Sequence, residues 1–401
     1  MISLVMPKRP LEPQYPKIFA EFFAGIGLMR MGLERTGWAV AFANDIDPDK
    51  KEMYEAHFGN AENSFHLGDI HHINPKSIPR VTLATASFPC NDLSLAGSRT
   101  GLAGKQSSAY WGFIKILESL GMRRPPVILL ENVIGFLNSH GGKDFEDALL
   151  ALNRLGYATD AFVIDAARFV PQSRVRLFVI GCISDPCEEE ITSETPLFYE
   201  CEMRPKALAQ FILAHPGINW LMRDFPPLPL RVTTLRDILE DLPQNDFNWW
   251  SRERTDYLTA QMSDKHRCQL LEMIRRKKYS YGTIFRRVRR GKSMAELRID
   301  GIAGCLRTPR GGSGRQILVK AGYGNVQARL LTPRECARLM GANDFQISVP
   351  MNQALFGFGD AVCVPVITWI VQNYIDPLIR TLQNNHEITA DEARGKYAVA
   401  R

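Results

Sequence analysis

No apolar run in the 401-residue chain approaches the about twenty residues that a bilayer-spanning helix needs. The longest runs, PPVILL and AVCVPVITWIV, are too short or too interrupted. The opening MISLVMPKRPLEPQYP has neither an extended apolar stretch nor a small-residue cleavage site, so no secretory signal is expected. The eight cysteines (Cys90, Cys182, Cys187, Cys201, Cys268, Cys305, Cys336 and Cys363) include no C-x-x-C pair. That spacing offers no zinc cage and no disulfide framework; it predicts a reducing cytoplasm and no metal centre. Internal repeats and low-complexity tracts are missing too. What remains is a chain 45% hydrophobic, long enough for a full core and two or three domains.

The net charge of +6 is unevenly placed. Residues 247–320 hold 18 Lys and Arg against 6 Asp and Glu, so the rest of the chain is net acidic. RRKK (275–278) and FRRVRRGK (285–292) are the densest clusters, interleaved with Tyr279, Tyr281 and Phe285. One such cluster would be an ordinary solvated face; several with aromatics between them point to a polyanion.

From residue 17 to about 183, short apolar runs (KIFAEFF, AVAFAN, RVTLATAS, PVILLE, RLFVIGC) alternate with stretches of helical spacing (LMRMGLERTG, DPDKKEMYEAHFG, AYWGFIKILESLG, DFEDALLALNRLG). This alternation predicts an α/β fold with a doubly wound, mostly parallel sheet. From 184 to about 320 the pattern dissolves into prolines, tryptophans and basic clusters. It returns after 326 with LTPRECARLMG, whose Thr332-Pro333-x-Glu335 is a helix start, and with AVCVPVITWIVQNYI as a long apolar helix. The expected layout is a catalytic and cofactor-binding domain over 1–183, a smaller irregular basic insert over 184–325, and a return to the first domain over 326–401.

In doubly wound sheets ligands bind beyond the carboxyl ends of the strands. Several chemically capable residues fall there. EFFAGIG (21–27) brings Gly25 and Gly27 to a strand-to-helix turn, where glycines let a ligand approach the backbone or simply turn a corner. NDID (44–47) and HLGDI (66–70) place Asp45 and Asp69 where they could hold a nucleoside, although each also suits a helix cap. No G-x-G-x-x-G is present, which argues for a ligand without a pyrophosphate. RVTLATAS ends in Pro89 and Cys90, a thiol either packed or reactive. ENV (131–133) offers Glu131 as a candidate acid, or merely a helix partner. PQSRVRLFVIG offers Arg174 and Arg176 pointing the same way along an extended chain, or forming a salt-bridged rim.

FFAGIG, NDID, GDI, SFPCNDLS, ENV, QSRVR, LTPRECARLMG and GFGDAV, in this order, resemble the cytosine-5 DNA methyltransferases over about residues 17–183 and 326–372. The resemblance implies the S-adenosylmethionine-dependent methyltransferase fold, with the basic insert as target-recognition domain. It implies methyl transfer to C5 of a flipped-out cytosine, with Cys90 adding to C6, Glu131 acting at N3, Arg176 holding O2 and Arg174 anchoring the site. The cofactor would be S-adenosylmethionine: Phe23, Ala24, Gly25, Ile26 and Gly27 at the methionine end, Asp45 on the ribose, and Ile46 against the adenine. Asp69 and Ile70 would lie on the adenine's edge, with Pro89, Asp360 and Val362 completing the pocket. DNA contacts are expected from Asn91, Ser94, Arg286, Arg287, Arg289, Arg290 and Arg310.

Two positions depart from the family pattern. Asn91 stands where glutamine is usual, and Asp360 where the asparagine of G-N-A-V is usual; an acid there can accept from the cofactor's ammonium but cannot donate to its carboxylate. The resemblance further implies double-stranded DNA as partner, a separately acting restriction endonuclease, a monomer, no membrane, and a bacterial cytoplasmic enzyme held at the nucleoid by DNA. Rival readings are a tRNA cytosine-5 methyltransferase, against which the large basic insert argues, a catalytically inactive DNA-binding homologue, against which the intact Cys90, Glu131, Arg174 and Arg176 argue, and a Rossmann oxidoreductase.

Overall fold

The computed structural model describes residues 15–59, 64–89, 108–183, 200–289, 291–308 and 314–384. The large sheet uses β1 (Ile18–Phe22), β2 (Ala39–Asp45), β3 (Phe65–Leu67), β4 (Leu83–Ala86), β5 (Val127–Val133), β6 (Tyr157–Asp165) and β7 (Val175–Ile183). Their order is β3-β2-β1-β4-β5-β7-β6. All neighbours run parallel except β7, which is antiparallel to both β5 and β6. The chain builds outward from β1 in one direction and from β4 in the other, so the crevice between them is the switch point of a doubly wound sheet.

Helices α1 (Leu28–Glu34), α2 (Pro48–Phe58), α3 (Ser108–Leu120) and α4 (Lys143–Arg154) connect these strands. Local sequence explains their limits. Asp47 caps α2 by accepting from the N–H groups of Asp49 and Lys50, with Pro48 at the first helical position, and Gly59 ends it. The strands are buried on both faces, as continuous apolar runs predict for a covered parallel sheet. Phe19, Leu83, Leu129 and Phe178 enter one core; Phe22, Ala84, Ile128 and Leu177 enter the other.

After β7 come α5 (Lys206–Ala214), α6 (Leu235–Ile238), α7 (Arg252–Ala260) and α8 (Asp264–Arg275). They are followed by β8 (Ser280–Arg289), β9 (Lys292–Arg298), β10 (Ile317–Gly322) and β11 (Asn325–Leu330). These strands form a second, antiparallel sheet, β11-β10-β8-β9, whose core lies under α7 and α8. The sequence boundaries of the insert shift accordingly. Leu208, Phe211 and Trp220 pack into one large-sheet core, and Leu228, Leu235 and Ile238 into the other, so the stretch 208–238 is packed against the large sheet. At the other end β11 keeps residues 325–330 in the small sheet.

The chain returns through α9 (Pro333–Leu339), α10 (Met351–Asp360) and α11 (Val364–Ile370), followed by a π-helical turn, Val371–Ile375. The Thr332 hydroxyl and Glu335 carboxylate form a reciprocal capping box on α9. The stretch Met351–Asn384 does reach the length and apolarity of a membrane span, unlike the shorter runs read in the sequence, but 61% of its most apolar window is buried inside the protein. Its residues fill the core: Ile367 meets Gly32 of α1 so closely that a Cβ on the glycine would lie 2.6 Å from Ile367 Cβ.

Candidate active site and cofactor pocket

The carboxyl ends of β1, β2, β3, β4 and β5 share one edge, and β7, being antiparallel, begins there. At β1 the chain leaves through a turn in which Phe23, Gly25 and Gly27 all adopt positive φ (57°, 56° and 82°). For Phe23 that is a strained conformation, of a kind that collects at functional sites. The Gly25 N–H donates to Asp45 Oδ2 at 2.8 Å, and Asp45 Oδ1 accepts from the Asp47 N–H at 2.9 Å. A Cβ on Gly25 would meet no atom within 4 Å, so the turn opens onto free space; one on Gly27 would strike Phe58 and Tyr54. Ile46, beside Asp45, is 65% exposed although fully apolar. Asn44 joins β2 to the next strand by donating to the carbonyls of His66 and Gly68.

Not every residue expected at the pocket offers its side chain. Ala24, Ile26 and Val362 are buried, and Ile70 is buried with its Cγ2 against Gly112 of α3. These can meet a ligand through backbone only, or at a margin. Asp69 takes the bland role too, its Oδ1 accepting from the His71 N–H at 2.9 Å. Pro89 is exposed at the end of the β4 segment.

The acid and the arginine meet. Arg176 Nε lies 2.9 Å from Glu131 Oε1, the carboxylate being nearly buried. Asn132, the next residue, donates from Nδ2 to the Phe88 carbonyl at 3.2 Å, fastening the backbone that leads into Pro89 to the E-N-V strand. Cys90, Asn91, Ser94, Arg290, Arg310 and the side chain of Arg289 lie outside the described residues. Arg174 does not line an open site. It is buried and donates to the carbonyls of Leu306 (2.9 Å), Gly359 (3.2 Å) and Ala361 (2.6 Å), joining three distant segments. Gln172 completes the staple, accepting from the Leu306 N–H and donating to the Leu339 carbonyl.

Two residues at this junction were not singled out in the sequence. The Cys305 thiol accepts from Arg174 Nη1 at 3.4 Å. Burial pushes it up, but the guanidinium groups of Arg174, Arg176 and Arg307 outweigh burial and hold it below the ordinary thiol value. Arg307 is exposed, with its guanidinium 5.4 Å from the Phe285 ring. Neither residue carries a local sequence signal, since both lie in the irregular chain between β9 and β10.

Lys50, on the first turn of α2, was likewise not foreseen. Its Nζ lies 2.9 Å from Asp360 Oδ2 at the end of α10. Burial disfavours the ammonium, yet Asp360, Asp45 and Asp47 outweigh that and raise it above the ordinary lysine value.

On the small sheet, strand alternation separates the arginines. Leu318 of β10 packs into a large-sheet core, so its face, which Thr283, Phe285 and Arg287 continue on β8, is turned toward the large unit. Arg287 is exposed and paired with Glu296 at 3.2 Å. Arg286 follows Ile284 on the other face, opposite Ala295, and is half-buried under the α7 and α8 side.

The family model of the C-5 cytosine-specific DNA methylases matches residues 18–376. The chain belongs to that family. It is a DNA cytosine-5 methyltransferase. It is 30% identical over 364 residues to Type II methyltransferase M.DsaV of Dactylococcopsis salina, covering 89% of this chain and 86% of that protein. It is 27% identical over 359 residues to M.HhaI of Haemophilus parahaemolyticus, covering 88% and 93%. Among solved structures, S. pombe Dnmt2 methyltransferase superposes with TM-score 0.60 at 19% identity, over 90% of this chain and 99% of that one. Entamoeba histolytica EhMeth gives 0.62 at 16%, over 91% and 99%. At those identities the two structures speak for the fold, which is the one the sequence predicted.

Proposed function

We propose that this methyltransferase carries a methyl group from S-adenosylmethionine to C5 of a cytosine extruded from duplex DNA, through transient addition of Cys90 to C6. The observation that carries the reading is the Glu131–Arg176 pair, with Asn132 tying the backbone before Cys90 to the same strand end. The pocket residues fit the cofactor. The open Gly25 turn admits a ligand, the Asp45 oxygens each keep a lone pair for a ribose hydroxyl, and exposed Ile46 offers an apolar face to adenine. Ser87 Oγ, just past β4, is buried with no partner among the described residues and fits a polar ligand in the same crevice. When bound, the cofactor supplies an electrophilic methyl group.

The protein's part is to make C5 nucleophilic. The Cys90 thiolate forms a bond to C6, and the ring's π electrons shift toward N3, where Glu131 supplies a hydrogen bond or proton. Arg176, held by Glu131, donates to O2. Once C5 has taken the methyl group, its proton leaves to a base, the electron pair returns to the ring and the thiolate is expelled. The base must first leave the duplex, at a cost of a few kcal/mol. Phosphate contacts from the basic insert supply affinity for the strand on either side. The likeness to Type II methyltransferases supports a place in a restriction-modification system beside a separately acting endonuclease.

A duplex with 5-fluorocytosine at the target position tests the chemistry, because fluorine at C5 cannot leave as a proton would. The protein should remain covalently attached to the DNA in the presence of S-adenosylmethionine, with the link at Cys90. Cys90→Ser should give no adduct while still binding DNA. An adduct that persists in the serine variant, or is absent at a site the wild type methylates, defeats the assignment.

A further inference from the structure

The acid at position 360 poses a problem that the fold answers. Arg174 holds the carbonyls of Gly359 and Ala361, so the backbone on both sides of Asp360 is clamped. Helix α10 is pressed against the glycine turn and α2. A Cβ on Gly357 would lie 2.8 Å from both Ile26 Cγ2 and Met53 Sδ, and Gln353 donates to the Asp49 carbonyl and to Glu52. The Asp360 carboxylate therefore stands at the rim of the pocket that Gly25 and Asp45 open, and Lys50 reaches it there. Lys50 is 21% exposed and Asp360 46%, an arrangement in which an ion pair is weak and easily shared. A lysine has three donors, and Asp360 takes one of them. Asp45 and Asp47 already accept from backbone N–H groups of Gly25, Asp47, Asp49 and Lys50.

We propose that Lys50 and Asp360 together form the receptor for the zwitterionic aminocarboxylate end of the cofactor, Lys50 binding its carboxylate and Asp360 its ammonium. Resting on the S-adenosylmethionine reading above, this assigns to Lys50 the donor that an acid at 360 cannot provide. Two opposite charges meet two opposite charges, so binding buries no net charge. An acid alone at the rim would repel the carboxylate; Lys50 beside it offsets the charge of Asp360.

A plain clamp between α2 and α10 would affect every ligand alike, whereas a receptor affects only ligands that carry the aminocarboxylate. Calorimetry on the full chain separates the two, using S-adenosylhomocysteine and 5′-deoxy-5′-methylthioadenosine, which keeps the nucleoside thioether and lacks the amino acid. Lys50→Met should weaken S-adenosylhomocysteine by about tenfold or more, the scale of one hydrogen bond to a charged group, and the methylthioadenosine by less than about twofold. Lys50→Arg, which keeps the cation, should retain most of the discrimination. Adding Asp360→Asn to Lys50→Met should recover part of the lost affinity by replacing a bare acid with an amide donor. Asp45→Ala should weaken both ligands together. Equal effects of Lys50→Met on the two ligands, or none on either, overturn the receptor while leaving the cofactor reading standing. If the wild type binds neither nucleoside, the cofactor reading falls and the receptor falls with it.

Discussion

Glu21, next to last in β1, lies where water does not reach. Its Oε1 accepts from the Arg30 N–H at 3.2 Å, serving the N-terminus of α1 where Gly27, as N-cap, has no side chain to offer. Its Oε2 is buried without a partner among the described residues. Burial pushes this carboxyl up to about 8, against the weaker opposing pull of Arg30, while Glu34 and Asp45 add to the rise. From the ordinary carboxyl range up to about 8, the folded chain keeps a proton that the unfolded chain has released. Stability should therefore fall as pH rises across that window, by up to ~1.4 kcal/mol per pH unit, and level off above it. Glu21→Gln still accepts from Arg30 and cannot titrate, so its stability should stay flatter from about pH 5 to about pH 9. Urea unfolding at several pH values measures this; wild type and variant declining in parallel would remove Glu21 as the source.

At the scale of the element, the β8–β9 hairpin is a cationic strip whose two faces differ in exposure. Arg287 and Arg307 flank Phe285 on the face turned toward the large unit, and Arg286 follows the covered face. Arg287→Gln and Arg307→Gln should each weaken binding on many duplex sequences alike and reduce the slope of log affinity against log salt by about 1. Arg286→Gln should change the slope less. A slope that stays constant in the first two variants would show that the exposed face does not touch phosphate.

Elements also mark what could be read from the sequence. β1, β2, β4 and β5 and the helices between them were legible, because buried parallel strands are apolar throughout and the helices carry caps and stop at glycines. β6 was not. YATDAFVID holds Asp160 in a fully buried strand, and no local pattern announces that its carboxylate meets Arg204 at 3.0 Å and the Tyr374 hydroxyl at 2.9 Å. The site divides the same way. As candidates, Glu131 and Arg176 could be picked out from motifs at strand ends, whereas Cys305 and Lys50 are drawn to notice only by partners more than a hundred residues away in sequence.

Across the whole molecule, the small sheet is joined to the large unit by a buried ion pair. Arg329 leaves β11 and meets Glu335 on α9, with Nη1 to Oε2 at 2.7 Å; the arginine is 1% exposed and the glutamate fully buried. The Glu335 carboxylate also accepts from the N–H groups of Thr332 and Glu240, and the Arg329 guanidinium lies 5.0 Å from the Trp249 ring. One carboxylate thus serves the helix start, the chain after α6 and the last strand of the small sheet. Removing its charge leaves the Arg329 cation stranded away from water, which costs far more than the pair is worth as a whole. Glu335→Gln should lower the unfolding free energy by about 3–5 kcal/mol, while the double replacement Arg329→Met with Glu335→Gln, which removes the stranded cation and keeps an amide oxygen for the backbone N–H groups, should lose much less. Urea unfolding in a background whose other four tryptophans (Trp38, Trp111, Trp220 and Trp369, all packed on the large sheet) are replaced by phenylalanine adds a second readout: fluorescence then reports Trp249 and Trp250 near the small sheet, and circular dichroism is weighted toward the large unit. The two curves should coincide with Glu335 in place and separate in Glu335→Gln, with the fluorescence transition coming first. A single-residue loss below about 1 kcal/mol, or coincident curves in that variant, would mean that the two units are held together by apolar packing around Leu318 rather than by this pair.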